Sequence, residues 1–400
     1  MRESKLTMGG QNLFQAIKAK RAEAEAKGIE IINMAIGQPQ GPAFKSACEG
    51  ASQAVLSLKE SMHEYQDNGS PGVPGFAEDF VRLYKGVILP EKSDDIAFLP
   101  IPGIKPMEGL VTLACGSADT YLNVATTTNP GYPTPKTWCD YLDTDNTEVA
   151  INPENGFLFN PYEEDEKGDS INLFHINYPH NPSGAGATKE WWERLCDYCQ
   201  VYDIRLFNDA AYAMLVHDER VSPLCSVAHK FPDLSWAEAF SASKVIGNGT
   251  GWRIGAMVGS PDFIGDIATI KGNADSGFFA PAAFGVLECL KKDMKSVVEI
   301  SNLYKKRIEI LTDLLTLSGM KLAVKPGAGF FTLWQTPDWA FGQKIESSKQ
   351  FNFLMIEKTG IMGVHFGPYT RYAVVGQPES DAVLGKISTG FKKAKVSYDD

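Results

Sequence analysis

Short apolar runs alternate with helix-patterned segments between roughly residues 95 and 280, which predicts an α/β fold with a mainly parallel sheet covered on both faces. Two further observations set its scale. At 400 residues the chain exceeds the size at which one hydrophobic core usually stops growing, so two domains are expected. After about residue 280 the pattern changes to a long helical stretch and then apolar runs with turns, which reads as a smaller α+β domain.

The elements follow in order. Asn12–Lys27, rich in Ala, Lys, Arg and Glu and ended by Gly28, predicts a helix. An extended run, Ile29–Ile36, leads into the turn-rich Gly37–Pro42, and Ala43–Lys59 is again helical in pattern. Tyr65–Gly75 holds too many Gly and Pro for regular structure and opens a helix near Phe76–Lys85. Strands are expected at Ile96–Leu99, Thr120–Thr127, Ile171–Asn177, Ile204–Asp209, Ala237–Ala242 and Ile254–Val258. Helices fit between several of them, at Met107–Ala114, Lys189–Tyr202 and Phe263–Lys271. Beyond lie a long helix at Val286–Gly319, apolar runs at Phe330–Trp334 and Tyr372–Val375, and a closing helix near Ser380–Lys395. Ligands of such sheets collect at the carboxyl ends of the strands, so those ends are where chemistry is sought.

Composition removes several classes of function. With 44% hydrophobic, 22% charged and 11% aromatic residues the chain is an ordinary globular protein, not a disordered or fibrous one. A net charge of −11 argues against a nucleic-acid surface, though it permits an anionic small substrate in a cleft lined by arginine. Met1–Gly10 is polar and lacks the apolar core of a signal peptide, and no window has the length of a membrane span. Seven scattered cysteines read as reduced intracellular thiols, so a cytoplasmic protein is expected. Cys196 and Cys199 have C-x-x-C spacing, but without a second pair they read as half-buried helix positions rather than a metal site. No P-loop and no H-E-x-x-H occurs, and Gly247–Trp252 falls short of G-x-G-x-x-G at its last position.

Five stretches at expected strand ends carry polar residues suited to one ligand. Pro102-Gly-Ile104-Lys105 precedes a helix and offers backbone N–H groups to an anion. In Asn129-Pro-Gly-Tyr132-Pro133 the tyrosine either packs or lies against a flat heterocycle. The third, Asn177-Tyr-Pro-His180-Asn181-Pro-Ser-Gly184, is stiffened by prolines and suits Asn181 to donate to a phenolate-like oxygen, while His180 is expected to be solvated or capping. Asp209, in Phe207-Asn-Asp-Ala-Ala-Tyr212, is either a helix N-cap or the carboxylate that keeps a pyridine nitrogen protonated, and Tyr212 could reach the same ring. The last, Phe240-Ser-Ala-Ser-Lys-Val-Ile-Gly-Asn-Gly-Thr-Gly-Trp-Arg-Ile-Gly255, sets Lys244 among small residues with Arg253 close by. That lysine is either a solvated hairpin residue or a Schiff-base lysine beside a phosphate site. Arg371, before an apolar run, is either a surface residue or a bidentate clamp for an α-carboxylate.

Jointly the N-P-S-G, D-A-A-Y and S-x-S-K…G-W-R-I-G motifs resemble those of the class I/II pyridoxal-phosphate aminotransferases of fold type I, in that family's order from Gly37 to Arg371. In places the chain looks nearest to the LL-diaminopimelate aminotransferase branch. The resemblance implies a large domain, residues 46–285, with a mainly parallel seven-stranded sheet between helices, and a smaller α+β domain from residues 1–45 and 286–400. It implies pyridoxal 5'-phosphate as cofactor, an amino acid and a 2-oxo acid as substrates, and no metal. Lys244 would carry the cofactor as a Schiff base and act as base and acid, and Asp209 would pair with the pyridine nitrogen. Asn181 and Tyr212 would hold the ring oxygen, while Tyr132 stacks on the ring. Ser241, Arg253 and the backbone of Ile104 and Lys105 would bind the phosphate. Arg371 would grip the substrate carboxylate, with Gly37 beside it. Tyr65 would reach the phosphate of a neighbouring subunit, which implies a homodimer. A lyase acting by β-elimination would use the same lysine and aspartate; a non-catalytic cofactor sensor would need an added DNA-binding domain.

Three departures cluster around the phosphate cup and the substrate entrance. Arg253 lies one residue farther from Lys244 than the family pattern sets it, the turn from Gly103 to Gly109 is lengthened by Pro106 and Met107, and Pro135 replaces a second aromatic.

Overall fold

The computed structural model describes residues 13–116, 121–164 and 171–399; the readings of Met1–Gly10, Asn12 and Thr120 lie outside them. The strands, in chain order, are β1 (Ile32–Asn33), β2 (Ala97–Ile101), β3 (Asn123–Thr126), β4 (Asp145–Glu148), β5 (Leu173–Asn177), β6 (Arg205–Asp209) and β7 (Trp236–Ser241). They continue with β8 (Gly255–Gly259), β9 (Phe331–Gln335), β10 (Trp339–Ala340), β11 (Gln343–Lys344), β12 (Ile361–Met362), β13 (Val364–Phe366) and β14 (Tyr369–Ala373).

Seven of these form one sheet in the order β2-β8-β7-β6-β5-β3-β4, parallel except for β8, which runs against both neighbours. Its inner strands are buried and largely apolar because both faces of the sheet are covered. In β7, Trp236 and Phe240 pack on one face with Trp192, Phe174 and Val286, whereas Ala237 and Ala239 pack on the other with Val111, Phe207 and Phe263. That two-residue alternation separates the helices into two layers. The smaller domain builds its sheet from β13-β14-β9 and its core from Leu311, Phe330, Trp334, Phe351, Tyr372 and Phe391. Among the described residues no helix is long and apolar enough to cross a membrane.

Four readings need correction. The expected helix Val286–Gly319 is two helices, Ala280–Lys292 and Met294–Leu317, separated by Asp293 at φ −135°, ψ 33°. Its carboxylate accepts from Ser46 Oγ and Ser296 Oγ, both at 2.7 Å, so the break is held by side chains that local periodicity does not reveal. Strand β4 was not expected: its sequence, Asp-Asn-Thr-Glu, is polar because it is the sheet's edge. The C-x-x-C pair is fully buried, not half-buried, and burial pushes both thiols well up, so neither supplies a thiolate. His180 is neither solvated nor capping a helix: it is buried, with Nδ1 2.7 Å from Ser183 Oγ and Nε2 3.3 Å from the Thr127 carbonyl. Burial lowers its pKa to about 4, leaving a neutral ring that braces the loop.

Register positions the site. Asn177 pairs with Asp209 across β5 and β6, Asp209 with Ala239 across β6 and β7, and Ser241 with Gly255 across β7 and β8. The carboxyl ends of three neighbouring strands therefore stand in a row, and one 3-10 turn, Ala242–Lys244, carries the lysine over them.

Candidate active site

A cleft of about 230 Å³ lies over that row. It is lined by Gly37, Ile104, Lys105, Tyr132, Asn181, Asp209, Tyr212, Ser241, Lys244, Arg253 and Arg371. The chain thus brings together all the residues for which a cofactor or substrate role is expected except Tyr65, which is 77% exposed and outside the cleft. The cleft wall also includes Phe14, Glu108, Asn177, Ala211, Ser243 and Thr250, which sequence reasoning missed. Ser243 and Asn177 belong to quoted motifs and could have been read there; Glu108 and Phe14 carry no such signal.

Lys244 Nζ stands 5.0 Å from the centre of the Tyr212 ring. Burial lowers its proton affinity, the Asp209 carboxylate opposes that, and Arg253 adds to it. A sheltered lysine of this kind yields the neutral amine that a nucleophile needs. Asp209, 6% exposed, accepts the Ala211 N–H on Oδ1 at 3.0 Å, and its backbone carbonyl accepts from Asn177 Nδ2 at 2.8 Å. Burial raises its pKa to about 6, with Lys244 and the Ala211 N–H pulling the other way.

On the facing wall Arg371 is 1% exposed, its guanidinium 4.1 Å from the Phe331 ring centre and 5.3 Å from that of Phe366. Nη1 donates to Asn181 Oδ1 at 2.8 Å and Nη2 to the Ala35 carbonyl at 2.9 Å, while Nε is buried and without a partner. Burial lowers its pKa to about 10, so it remains a cation at neutral pH. Its bond fixes the Asn181 amide with the oxygen spoken for and the NH₂ available as donor. The Asn177 side chain sets the loop from the other end, accepting the Asn181 N–H at 2.9 Å.

At the opposite end lies a cup for an anion. Arg253 holds φ 57°, in the left-handed region, and its Nη1 donates to the Thr250 carbonyl at 3.2 Å. A side chain at Gly103 would place Cβ 2.6 Å from Arg253 Nη2, so the glycine there is what lets the guanidinium lie against the turn. Ser241 Oγ donates to Ser243 Oγ at 2.8 Å. The N–H groups of Ile104 and Lys105 have no partner among the described residues, and they precede the helix Met107–Ala114. Arg253 and Lys105 enter no ion pair among the described residues. The Arg253 cation, two hydroxyls and two free amides suit a phosphate dianion, with the exposed Lys105 side chain beside them.

This donor set fits pyridoxal 5'-phosphate along its length: a phosphate cup, a lysine, a carboxylate for a ring nitrogen, and an amide and phenol for a ring oxygen. The cleft is that of a pyridoxal-phosphate enzyme. Residues 29–377 match the family Aminotransferase class I and II, and the chain belongs to it. It is 30% identical to an LL-diaminopimelate aminotransferase from Halothermothrix orenii over 91% of this chain and 89% of that one. It is 28% identical to one from Methanocaldococcus jannaschii, over 97% and 90% of the two chains. Among solved structures the aspartate aminotransferase of Rhizobium meliloti superposes with a TM-score of 0.84 at 20% identity, covering 99% of this chain and 98% of the other. The protein is a pyridoxal-phosphate-dependent aminotransferase, moving an amino group between an amino acid and a 2-oxo acid.

Proposed function

We propose that transamination is carried out by the residues of this cleft in the following roles. Pyridoxal phosphate, when bound, supplies a ring that withdraws electrons from the substrate Cα. Lys244 would hold the cofactor through Nζ until the substrate amine takes its place, and the freed Nζ would then move the proton between Cα and the cofactor carbon on the far side of the shared nitrogen. Asp209 keeps the ring nitrogen protonated. Asn181 and Tyr212 donate to the ring oxygen and Tyr132 covers one face. Ser241, Ser243, Arg253 and the amides of Ile104 and Lys105 bind the phosphate. Arg371 takes the substrate carboxylate in a bidentate grip, beside Gly37. The observation that supports this most directly is the row of Asn177, Asp209 and Ser241 at adjacent strand ends, with Lys244 one turn beyond.

The reading extends to the substrate and the assembly. Lys105 offers an exposed cation in addition to Arg371, which suits an amino acid bearing a second carboxylate, as the name of the curated relatives also suggests. Tyr65 stands exposed on a loop that is otherwise firmly held. Gln66 Nε2 donates to the Ser61 and Glu64 carbonyls at 2.8 and 2.9 Å, and buried Lys271 donates to Asn68 Oδ1 at 3.1 Å. A held loop presenting an unpacked tyrosine supports a homodimer in which Tyr65 completes the partner's phosphate site. The chain divides into a cofactor domain, residues 46–285, and a smaller domain, residues 1–45 and 286–400; the large sheet falls wholly in the first and β13-β14-β9 in the second. The seven cysteines are all unpaired, which supports a cytoplasmic location.

A panel of amino-acid donors with a 2-oxo acid acceptor tests the roles. The visible absorption of the bound cofactor should bleach with dicarboxylic donors and recover with the acceptor. Turnover retained in Lys244→Ala would sink the assignment, and a preference for monocarboxylic donors would sink the reading of Lys105.

A further inference from the structure

Glu108 lines the cleft but takes no part in the roles above. It is the second residue of the helix Met107–Ala114, 1% exposed, and its Oε2 is shielded from solvent with no hydrogen-bond partner. Its carboxyl enters no ion pair among the described residues. Buried polar atoms without a partner are exceptions in folded proteins, and each has a reason. Among the described residues, only two of those that line this cleft carry such an atom: Arg371, at Nε, and Glu108. Arg371 finds its remaining partner in the substrate carboxylate.

We propose that Glu108 is a contact of the bound cofactor, its hydrogen-bonding partner arriving with pyridoxal phosphate. This rests on the reading that the cleft takes that cofactor. A buried carboxylate without an ion-pair partner is costly, so the group stays a neutral acid with one O–H to donate. Burial is the main influence raising its proton affinity, the nearby Asp209 charge adds to it, and Lys105 opposes. Asp209 already occupies the ionised role in the cavity, and two carboxylates there would repel; a neutral Glu108 beside a charged Asp209 avoids that. The lengthened turn explains how the residue arrives. Pro106 and Met107 carry the chain into the helix so that Glu108 falls on its first turn, in the wall of the cleft that it shares with Tyr132.

The test compares Glu108→Met, which keeps length and removes the polar end, with Glu108→Gln, which keeps hydrogen bonding and cannot ionise. Two readouts are taken without turnover: thermal unfolding of the ligand-free protein, and the dissociation constant of pyridoxal phosphate by equilibrium dialysis. The Met variant should bind the cofactor roughly three- to tenfold more weakly, the range of one neutral hydrogen bond, and Gln should return it to within about twofold of wild type. Ligand-free Met protein should melt no lower than wild type, because an unpartnered buried group has been removed. Unchanged cofactor affinity in the Met variant overturns the proposal, as does a lower melting temperature of its ligand-free form or a failure of Gln to restore binding. If Met does not fold, Glu108→Ala supplies the cofactor-affinity comparison alone, because its cavity lowers the melting temperature in any case. Wild-type protein that fails to bind pyridoxal phosphate would instead overturn the reading of the cleft itself.

Discussion

Replacing Asp209 with Asn should make the ligand-free protein more stable while destroying its use. The carboxyl is 6% exposed and its pKa is raised to about 6, mainly by burial. In the unfolded chain the same group titrates near 3.9. A folded-state pKa above the unfolded one means that the fold disfavours the ionised form. Below about pH 4 both states hold the proton and Asp209 costs nothing. As pH rises through about 6 the folded state gives its proton up late, and the cost becomes complete. A displacement of about two pKa units is worth about 3 kcal/mol.

Asn cannot ionise, yet its Oδ1 still accepts the Ala211 N–H, so the variant escapes that cost without losing the bond. The stability difference between Asp209→Asn and wild type should grow by up to about 3 kcal/mol from pH 4 to pH 8. It is an upper bound because Lys244 gives up its carboxylate neighbour. Urea unfolding of both ligand-free proteins, at matched concentration and at several pH values, reads this directly. A difference that stays flat with pH, or that falls as pH rises, would refute the electrostatic account of this site. Cofactor affinity should change the opposite way, since the ring nitrogen loses its counter-charge.

Three further outcomes are expected. Arg371→Lys replaces a planar fork by a point charge, so KM for the amino acid should rise roughly 10- to 100-fold with kcat less affected; steady-state kinetics showing an unchanged KM would count against the clamp. Mixing Lys244→Ala and Tyr65→Phe subunits should restore up to about a quarter of wild-type sites, because half of random dimers then hold one intact site; no recovery in verified heterodimers would remove Tyr65 from the phosphate site. Gly285→Ala would place Cβ 2.5 Å from the Ala47 carbonyl and 2.7 Å from the Ala51 nitrogen. Overpacking where the helices Lys45–Val55 and Ala280–Lys292 cross should cost about 1–3 kcal/mol in urea unfolding.

Much of the fold was legible because buried parallel strands must be apolar and their crossovers helical. Asp209 and Lys244 could be found because each ends or follows a strand of that kind. What the sequence concealed depends on contacts between distant segments. Asp293 breaks a helix by bonding Ser46, 247 residues away. His180 looks like a loop histidine until β3 and its loop supply the Thr127 carbonyl. Glu108 is an ordinary first-turn glutamate by position and becomes unusual only when Asp209 and the cleft wall close around it.

The Lys244–Arg253 loop shows how geometry can absorb a departure in spacing. One more residue than the family pattern, with the chain continuing straight, would carry the arginine past the phosphate cup. Here the backbone instead turns through φ 57° at Arg253 itself, a conformation a side chain accepts only at some cost. Thr250, whose carbonyl receives Nη1, sits within the cleft wall, and Gly103 leaves the opposite side open for Nη2. The strain is local, and what it secures is a guanidinium held between two backbone segments at the anion site. If that is its purpose, relieving the strain should not help: Arg253→Gly would relax the backbone yet weaken cofactor binding, and a variant that bound pyridoxal phosphate as tightly as wild type would show that the loop, not the arginine, makes the cup.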